Sequence, residues 1–283
     1  MPRSLLQPLT QQLDARTRLL RCLATIAAVA LLGGSAAAHA QPRVAGSKKY
    51  DKTKKMIAGG TSWRIKTPKG PVYVWIPPGY DRDTAGMVVY IHGYGTSADG
   101  AWKHHKLPQQ FRNSRQNAMF IVVDGPSSNA ASIKWHALGK LKTAMRRGGI
   151  RLPDGPAIVV AHSGGFRTVA KWLDNRLLAQ VILLDALYGR KKAFAEFIDS
   201  GKRAQHHKLI IIAAGTVANA RAFAKKYRYA VVRDKIPTSY AKFTKRERRA
   251  KLLYLRSQYG HGQIVRGGKV IPLILRLTPL KRL

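Results

Sequence analysis

The chain has 283 residues, 45% of them hydrophobic, and it carries 51 lysines and arginines against 13 aspartates and glutamates. This length suits one or at most two domains, and the apolar content excludes a fully disordered chain. The formal charge of +38 attracts polyanions and disfavours cationic substrates. We therefore expect a folded, strongly basic protein.

The first forty residues have the pattern of an export signal. Arg16, Arg18 and Arg21 precede an apolar run over residues 23–32, and Ala38-His39-Ala40 ends a stretch of small residues. These features together predict a cleaved secretory signal peptide over residues 1–40, because the apolar run is shorter than a membrane span usually requires. We expect export to the periplasm or the medium. An uncleaved N-terminal anchor is the alternative.

Cleavage of this segment would change both the cysteine content and the charge. The only cysteine, Cys22, lies within it, so the mature chain would contain no disulfide. Residues 1–40 hold four basic residues and one acidic residue, which leaves +35 on the mature part. Such a surface suits an anionic envelope polymer or a membrane surface as partner. The basic residues are dispersed, which disfavours specific nucleic-acid binding and leaves a habitat trait as the alternative explanation.

The mature chain begins with a segment that differs from the rest. Residues 41–59 are basic and weakly patterned, which predicts a mobile leader, and a single folded domain is expected over residues 60–283. Its first elements are two alternating segments, residues 61–66 and 72–76, around a turn at Lys69-Gly70. Alternation on both sides of a glycine corner predicts a β-hairpin.

Buried strands alternate with helices after this hairpin. A helix is indicated where apolar residues recur three and four positions apart, at Phe166, Val169, Ala170, Leu173 and Leu177. Two further helices are predicted over residues 193–198 and 218–227. Continuous apolar runs, typical of strands covered on both faces, occupy residues 87–91, 119–123, 157–161, 181–184, 208–213 and 252–255. The pattern predicts a three-layer α/β/α sandwich around a mostly parallel sheet, whose ligands bind at the carboxyl ends of the strands.

One strand end carries a candidate nucleophile. The sequence Ala161-His162-Ser163-Gly164-Gly165 joins the run 157–161 to the helix that starts near Phe166. This arrangement matches the nucleophile elbow G-x-S-x-G, with alanine at the first small position. Small neighbours are needed because their Cβ atoms would crowd the strained turn, and the helix N-terminus favours developing negative charge. We predict Ser163 as nucleophile, with an ordinary Ser-Gly-Gly turn as the alternative.

A second turn offers the amides that such a nucleophile needs. His92-Gly93-Tyr94-Gly95 follows the early run 87–91, where elbow hydrolases build part of the oxyanion hole. The amide of Tyr94, or of Gly93, is expected to act with that of Gly164. His92 is expected to be a turn residue beside the substrate rather than a base.

A late histidine is the best candidate for the base. His261 lies between Gly260 and Gly262, shortly after the run 252–255. His136, which follows Trp135 in a loop, is a weaker candidate and is expected to line the substrate pocket. Trp135 and Tyr188 are further candidates for the pocket wall.

The acidic partner is found by elimination. Asp185 directly follows the run 181–184, so a carboxylate there would fix the tautomer of the histidine and stabilise its protonated form. The other acidic residues between Ser163 and His261 fall in helical segments or in less suitable positions, namely Asp174, Glu196, Asp199, Asp234 and Glu247.

With these residues in order, the chain from about Val72 to Gln263 resembles the α/β-hydrolase superfamily, in which the triad follows the order serine, acid, histidine. The segment Val72–Tyr80 and the His-Gly turn are similar to esterases of the feruloyl-esterase and polyhydroxybutyrate-depolymerase kind. The resemblance implies an acyl-enzyme mechanism without metal or organic cofactor. The family usually takes its acid one strand later, where this chain has Gly215-Thr216, so Asp185 represents the variant with the acid one strand earlier.

Two functions are compatible with these residues and their order. The favoured one is hydrolysis of a carboxylic ester, small or carried by a polymer, with an amide as the second choice. The rival is a non-catalytic protein on a hydrolase scaffold that binds an anionic envelope polymer through its basic surface.

Overall fold

The computed structural model describes residues 50–283, so the predicted signal peptide and residues 41–49 of the predicted leader lie outside the described part. The described residues form one ten-stranded sheet. Its strands are β1 Lys52–Ile57, β2 Gly60–Ile65, β3 Val72–Ile76, β4 Gly86–Ile91, β5 Ala118–Val123, β6 Ala157–His162, β7 Leu178–Leu184, β8 Lys208–Ala213, β9 Val231–Arg233 and β10 Leu252–Arg256.

The strand order is β1-β2-β3-β5-β4-β6-β7-β8-β10-β9. β1, β2 and β3 pair in antiparallel fashion, β3 joins β5 in the same way, and the pairs from β5 to β9 along the sheet are parallel. The mostly parallel sheet is therefore confirmed. The hairpin predicted around Gly70 is formed by β2 and β3, and Gly70 has a φ of +100°, a conformation that glycine adopts without the strain a Cβ would add.

Helices cover both faces of the sheet. They are α1 Ala98–His104, α2 Leu107–Ser114, α3 Leu138–Arg147, α4 Phe166–Val169, α5 Lys191–Asp199, α6 Val217–Lys225, α7 Lys245–Arg249, α8 Gln263–Arg266 and α9 Val270–Leu275. The apolar residues of α3 to α6 join one buried cluster, and those of α1, α2, α8 and α9 join another.

The central strands supply both clusters in alternation. In β4, Val89 and Ile91 belong to the first cluster, while Val88 and Tyr90 belong to the second. All four are fully buried. Successive side chains of a strand point to opposite faces, so a continuous apolar run is what a doubly covered strand requires. The predicted three-layer α/β/α sandwich is confirmed.

The helix predicted from Phe166 to Leu177 is shorter in the structure. α4 ends at Val169, and the chain continues in turns whose amides bond three residues back, as Trp172 N does to Val169 O at 2.8 Å. The indole of Trp172 is fully buried and donates to the carbonyl of Trp135. Leu173 and Leu177 still pack on the same core, so the apolar spacing predicted the buried face correctly but not the length of the helix.

The predicted mobile leader is wrong over Lys52–Ile57, because these residues form β1 and pair with β2 along their whole length. All side chains of β1 are exposed except that of Ile57, which is half-buried, so the strand shows no apolar alternation. Its lysines suit an edge strand, where charge discourages pairing with a second chain. Between residues 50 and 283, no helix combines the length and the apolar character needed to cross a bilayer.

Candidate active site

Ser163 lies at a sharp turn between β6 and α4. Its φ is +49°, a left-handed conformation that is costly for a residue with a side chain and is found mainly where the surrounding structure enforces it. A 3₁₀ turn over Ser163–Gly165 leads directly into α4. A Cβ on Gly165 would lie 2.7 Å from the carbonyl oxygen of Ile91, so only glycine fits at that position. The elbow predicted from the sequence is present in its strained form.

The turn after β4 packs against this elbow. A Cβ on Gly93 would lie 2.6 Å from Cβ of Ser163, and one on Gly164 would lie 2.0 Å from the ring of Tyr94. Gly95 N donates to Ser127 O at 2.9 Å, whereas the amides of Tyr94 and Gly164 donate no hydrogen bond within residues 50–283. Two unengaged amides beside a serine hydroxyl suit the stabilisation of an oxyanion.

Asp185 is fully buried at the carboxyl end of β7, and its φ of +48° turns the chain sharply there. Its carboxylate accepts hydrogen bonds from the amides of Ala214 (3.0 Å), Gly215 (2.9 Å) and Thr216 (2.8 Å), and from the Thr216 hydroxyl (2.7 Å). The loop after β8 carries no acid in this chain. Instead, its amides and the Thr216 hydroxyl hold the carboxylate supplied by the neighbouring strand.

The same carboxylate bonds to His261. The distance from His261 Nδ1 to Asp185 Oδ2 is 2.6 Å. Burial raises the pKa of the Asp185 carboxyl, but the hydrogen bonds from His261, Gly215 and Ala214 outweigh it and hold that pKa well below its usual range. The acid is therefore ionised at neutral pH, and it accepts the proton on Nδ1. The other nitrogen, Nε2, is thereby left as the acceptor.

His261 is held between two other rings. The ring of His162 lies 4.6 Å from it, centroid to centroid, and the ring of Tyr188 lies 6.5 Å away. His162 Nε2 also lies 3.3 Å from the carbonyl oxygen of His261. Burial, together with the nearby rings of His261 and His105, lowers the pKa of His162 to about 3. His162 is thus neutral near pH 7 and does not compete with His261 as a base.

Ser163 and His261 are brought to the same end of the sheet, since the ring of His162, the residue before the serine, packs at a tilt against the ring of His261. In the described part of the chain, the Ser163 hydroxyl makes no hydrogen bond with the His261 ring. Such bonds are often long in free enzymes and tighten when substrate binds. The structure therefore joins Asp185 to His261 by a hydrogen bond and places Ser163 at the same end of the sheet.

Two of the predicted substrate contacts are corrected by the structure. His92 is 1% exposed, its Nε2 accepts from the Gly125 amide at 3.0 Å, and it lies 3.6 Å from Asp124. Trp135 is also 1% exposed and belongs to the core between α3 and the sheet. Both rings stabilise the fold, and neither is accessible to a substrate.

The other two predicted contacts are exposed. Tyr188 is 49% exposed beside His261, which suits a pocket wall. His136 is exposed in the loop between β5 and α3, and within residues 50–283 it has no hydrogen bond to Ser163, His261 or Asp185. The rival acid Asp234 is tied to Arg221 at 3.2 Å on the surface. No three His, Cys, Asp or Glu side chains of the described residues come together as metal ligands.

Sequence reasoning missed the residues that hold Asp185 and His261 in place. Thr216 and its neighbouring amides donate to Asp185, and the ring of His162 packs at a tilt against that of His261. The sequence showed Gly215-Thr216 only as a strand end without an acid, and it is the packing of β7 beside β8 that brings this pair to Asp185.

No protein-family model and no curated protein sequence matches this chain. Among solved structures, it is similar to a mutant feruloyl esterase module from Clostridium thermocellum complexed with sinapinate, with 12% identity, a TM-score of 0.48 and coverage of 79% of this chain and 87% of that one. It is also similar to the fluorophosphonate-binding serine hydrolase F of Staphylococcus aureus, with 11% identity, a TM-score of 0.47 and coverage of 81% and 98%. A third is an S-formylglutathione hydrolase from Agrobacterium tumefaciens, with 10% identity, a TM-score of 0.46 and coverage of 81% and 99%.

Because the identities are this low and the TM-scores are below 0.5, we assign the fold from the strand order of this chain and from the positions of Ser163, Asp185 and His261 along it. The central strands run in the order β2-β3-β5-β4-β6-β7-β8-β10. The serine elbow follows β6, the acid follows β7 and the histidine follows β10. This combination defines the α/β-hydrolase fold, as the sequence predicted.

Proposed function

We propose that this protein is a serine hydrolase that cleaves carboxylic esters, with Ser163 as nucleophile, His261 as general base and Asp185 as the acid. The observation that carries the proposal is the 2.6 Å hydrogen bond between His261 Nδ1 and the fully buried carboxylate of Asp185. A carboxylate that is hydrogen-bonded to Nδ1 orients the histidine ring and stabilises the imidazolium that forms when Nε2 takes a proton. A second observation supports it: Ser163 lies directly after β6 in a strained, left-handed conformation, as the nucleophile of an elbow does.

The first half of the reaction forms an acyl-enzyme. Ser163 Oγ attacks the carbonyl carbon of the ester while His261 Nε2 takes its proton, and the carbonyl oxygen becomes an oxyanion that accepts from the amides of Gly164 and Tyr94. The tetrahedral intermediate collapses, the bond to the leaving oxygen breaks, and His261 gives its proton to that oxygen. An alcohol leaves and the acyl group remains on Ser163.

The second half of the reaction hydrolyses the acyl-enzyme and regenerates the free enzyme. His261 takes a proton from water, whose oxygen attacks the acyl carbon, and the same amides hold the new oxyanion. Collapse breaks the bond to Ser163 Oγ, which receives the proton from His261, and a carboxylic acid is released. Side chains and amides of this chain handle every proton in the cycle, which is why we propose no cofactor. The same steps serve an amide, which is the second choice of substrate.

Labelling with a fluorophosphonate probe tests the proposal. We expect the folded protein to be labelled covalently and labelling to be lost in Ser163→Ala. Ser132→Ala, which removes an exposed serine from the loop between β5 and α3, is the matched control and should be labelled like the wild type. Folded protein that takes no label would refute the enzyme and favour the rival, a non-catalytic protein that binds an anionic envelope polymer.

The choice of ester over amide needs a second measurement. Purified protein is assayed on aryl and alkyl esters of increasing acyl length, and on amides of the same acyl groups. We expect turnover of esters that exceeds turnover of the matching amides. Faster cleavage of the amides would assign the enzyme to the other reaction class without affecting the roles of Ser163 and His261.

We further propose that the enzyme is exported, with residues 1–40 as a cleaved signal peptide. The basic residues, the short apolar run and the Ala38-His39-Ala40 site support this proposal. N-terminal sequencing of the protein recovered from the periplasm or the medium should begin at Gln41. A chain that starts at Met1 and sediments with the membrane would support the anchor instead.

A further inference from the structure

A polar cleft lies at the amino ends of β7 and β8, whereas Ser163 lies at the carboxyl end of β6. The cleft has a volume of about 340 Å³. Its polar lining includes Gln180, His206, Lys208, Arg248, Arg249 and Lys251. None of the described residues that line it is acidic. A cleft with this lining attracts a negatively charged group.

Gln180 is the unusual feature of this cleft. Its side chain is 1% exposed, yet neither its amide nitrogen nor its amide oxygen has a hydrogen-bond partner. Both atoms are unpartnered, so exchanging their positions changes nothing. Buried polar side chains almost always find a partner, and the exceptions call for an explanation such as a bound ion, a water or a ligand.

Lys208 lies directly beside Gln180. The two residues are register partners on the parallel strands β7 and β8, so their side chains leave the sheet on the same face. Lys208 Nζ donates to the carbonyl oxygens of Arg248 (2.8 Å) and Leu277 (3.3 Å). An ammonium group has three donors, so one is left over. Burial also lowers the pKa of Lys208 to about 8, and a bound anion would offset that desolvation.

The two unpartnered atoms of Gln180 indicate which anion fits. The amide nitrogen is a free donor and the amide oxygen is a free acceptor. A ligand that fills these positions must both accept and donate hydrogen bonds. Phosphate and its monoesters do so near neutral pH because they retain a proton part of the time, with a second pKa of about 6 for monoesters. Sulfate is fully deprotonated and only accepts.

From this we propose that the cleft is a binding site for a small phosphomonoester, with its phosphate group between Gln180 and Lys208. The space of about 340 Å³ exceeds what a phosphate ion alone fills, since a water molecule occupies about 30 Å³ in the liquid. The remainder holds the organic group of the ester. This site is separate from the proposed hydrolase activity, since its residues lie at the other edge of the sheet.

Isothermal titration calorimetry of the full chain at constant ionic strength tests the proposal, with glycerol 3-phosphate, inorganic phosphate and sulfate as probes. We expect saturable one-to-one binding of glycerol 3-phosphate, at least tenfold tighter than that of sulfate. Tighter binding of inorganic phosphate than of glycerol 3-phosphate would assign the site to the free ion. Equal binding of phosphate compounds and sulfate, or no saturable binding, would overturn the proposal and leave a buried water as the partner of Gln180.

Two pairs of variants locate the binding. Gln180→Met and Lys208→Met should each weaken glycerol 3-phosphate binding by about tenfold or more, because each removes a hydrogen bond to a charged group. Gln109→Met and Lys66→Met make the same changes at exposed positions and should bind like the wild type. If the control variants weakened glycerol 3-phosphate binding equally, the binding would be due to the overall positive charge of the protein and not to this cleft. The comparison of anions on the wild type still tests the proposal if a variant fails to fold.

Discussion

The two ends of strand β7 each bury a polar side chain, but only one of the two side chains is hydrogen-bonded. Just beyond its carboxyl end, Asp185 accepts hydrogen bonds from three amides, from the Thr216 hydroxyl and from His261. Near its amino end, Gln180 is as deeply buried but has no partner for either amide atom. The difference lies in what surrounds each side chain. The loop after β8 donates its amides to Asp185, whereas Gln180 lines a cleft at the other end of the strand.

This comparison separates two uses of a buried polar group. A carboxylate whose acceptors are filled is fixed in charge and position, which a triad requires before substrate arrives. An amide with empty positions is available to a ligand, at a cost in stability while it remains empty. We therefore expect variants at the carboxyl end to lose activity, and variants at the amino end to change ligand binding or stability.

The largest effect is expected at the nucleophile. Ser163→Ala and His261→Ala should each lower ester turnover by roughly 10⁶-fold, because triad members act as a unit. Steady-state rates on a neutral chromogenic ester measure this, with circular dichroism to show that the fold is retained. Residual activity within tenfold of the wild type would exclude Ser163 as nucleophile. A pH profile that survives His261→Ala would transfer the role of base to His136.

Asp185→Asn should lower the rate by roughly 10⁴-fold, through the wrong tautomer of His261 and the lost counter-charge. Asp234→Asn is the matched control, since Asp234 is an exposed acid paired with Arg221, and it should leave the rate unchanged. The same assay measures both. If Asp234→Asn lost the activity and Asp185→Asn kept it, the filled carboxylate at the end of β7 would be structural only.

Salt should separate adhesion to an anionic surface, which depends on the charge of the whole chain, from ester hydrolysis at the carboxyl end of β7. With +35 on residues 41–283, adhesion to anionic vesicles or cell-wall sacculi should be tight at low salt and strongly weakened at physiological salt, because the Debye length falls from about 30 Å to about 8 Å. Hydrolysis of a neutral ester has no such steering, so its kcat/KM should stay constant. Co-sedimentation and ester assays over one salt series measure both. Lack of adhesion at low salt would favour a habitat origin of the charge.

The smallest effects concern stability. In phosphate-free buffer, Gln180→Met should raise the free energy of unfolding by about 1–3 kcal/mol, because it removes an unpartnered buried amide. Thr216→Val should lower it by about 1–2 kcal/mol, because it removes a hydroxyl that is bonded to Asp185. Urea unfolding of each purified variant measures both changes. Destabilisation by Gln180→Met would mean that the amide is already satisfied, and the contrast between the two ends of β7 would disappear.

Much of the fold was predictable because its signals are local. Each doubly buried strand of the parallel sheet was visible as an apolar run, and the elbow was visible as small residues around Ser163. The short β9 was not predicted, because its second residue is exposed and no continuous apolar run marks it. β1 escaped prediction because an edge strand with exposed side chains has no apolar period. The helix after the elbow was predicted too long, since apolar spacing identifies a buried face whether the backbone is helical or turned.

The sequence by itself determined the order of the chemistry: a serine after one strand, an acid after the next and a histidine between glycines near the end of the chain. Spacing and turn residues are enough for this, because parallel strands bring their carboxyl ends to one edge. Only the tertiary structure decided that Trp135 and His92 are buried, that the loop at Thr216 holds Asp185, and that Gln180 has no partner. These features depend on strand register and on which distant loop covers a side chain, and neither property is encoded in the local sequence around the residue.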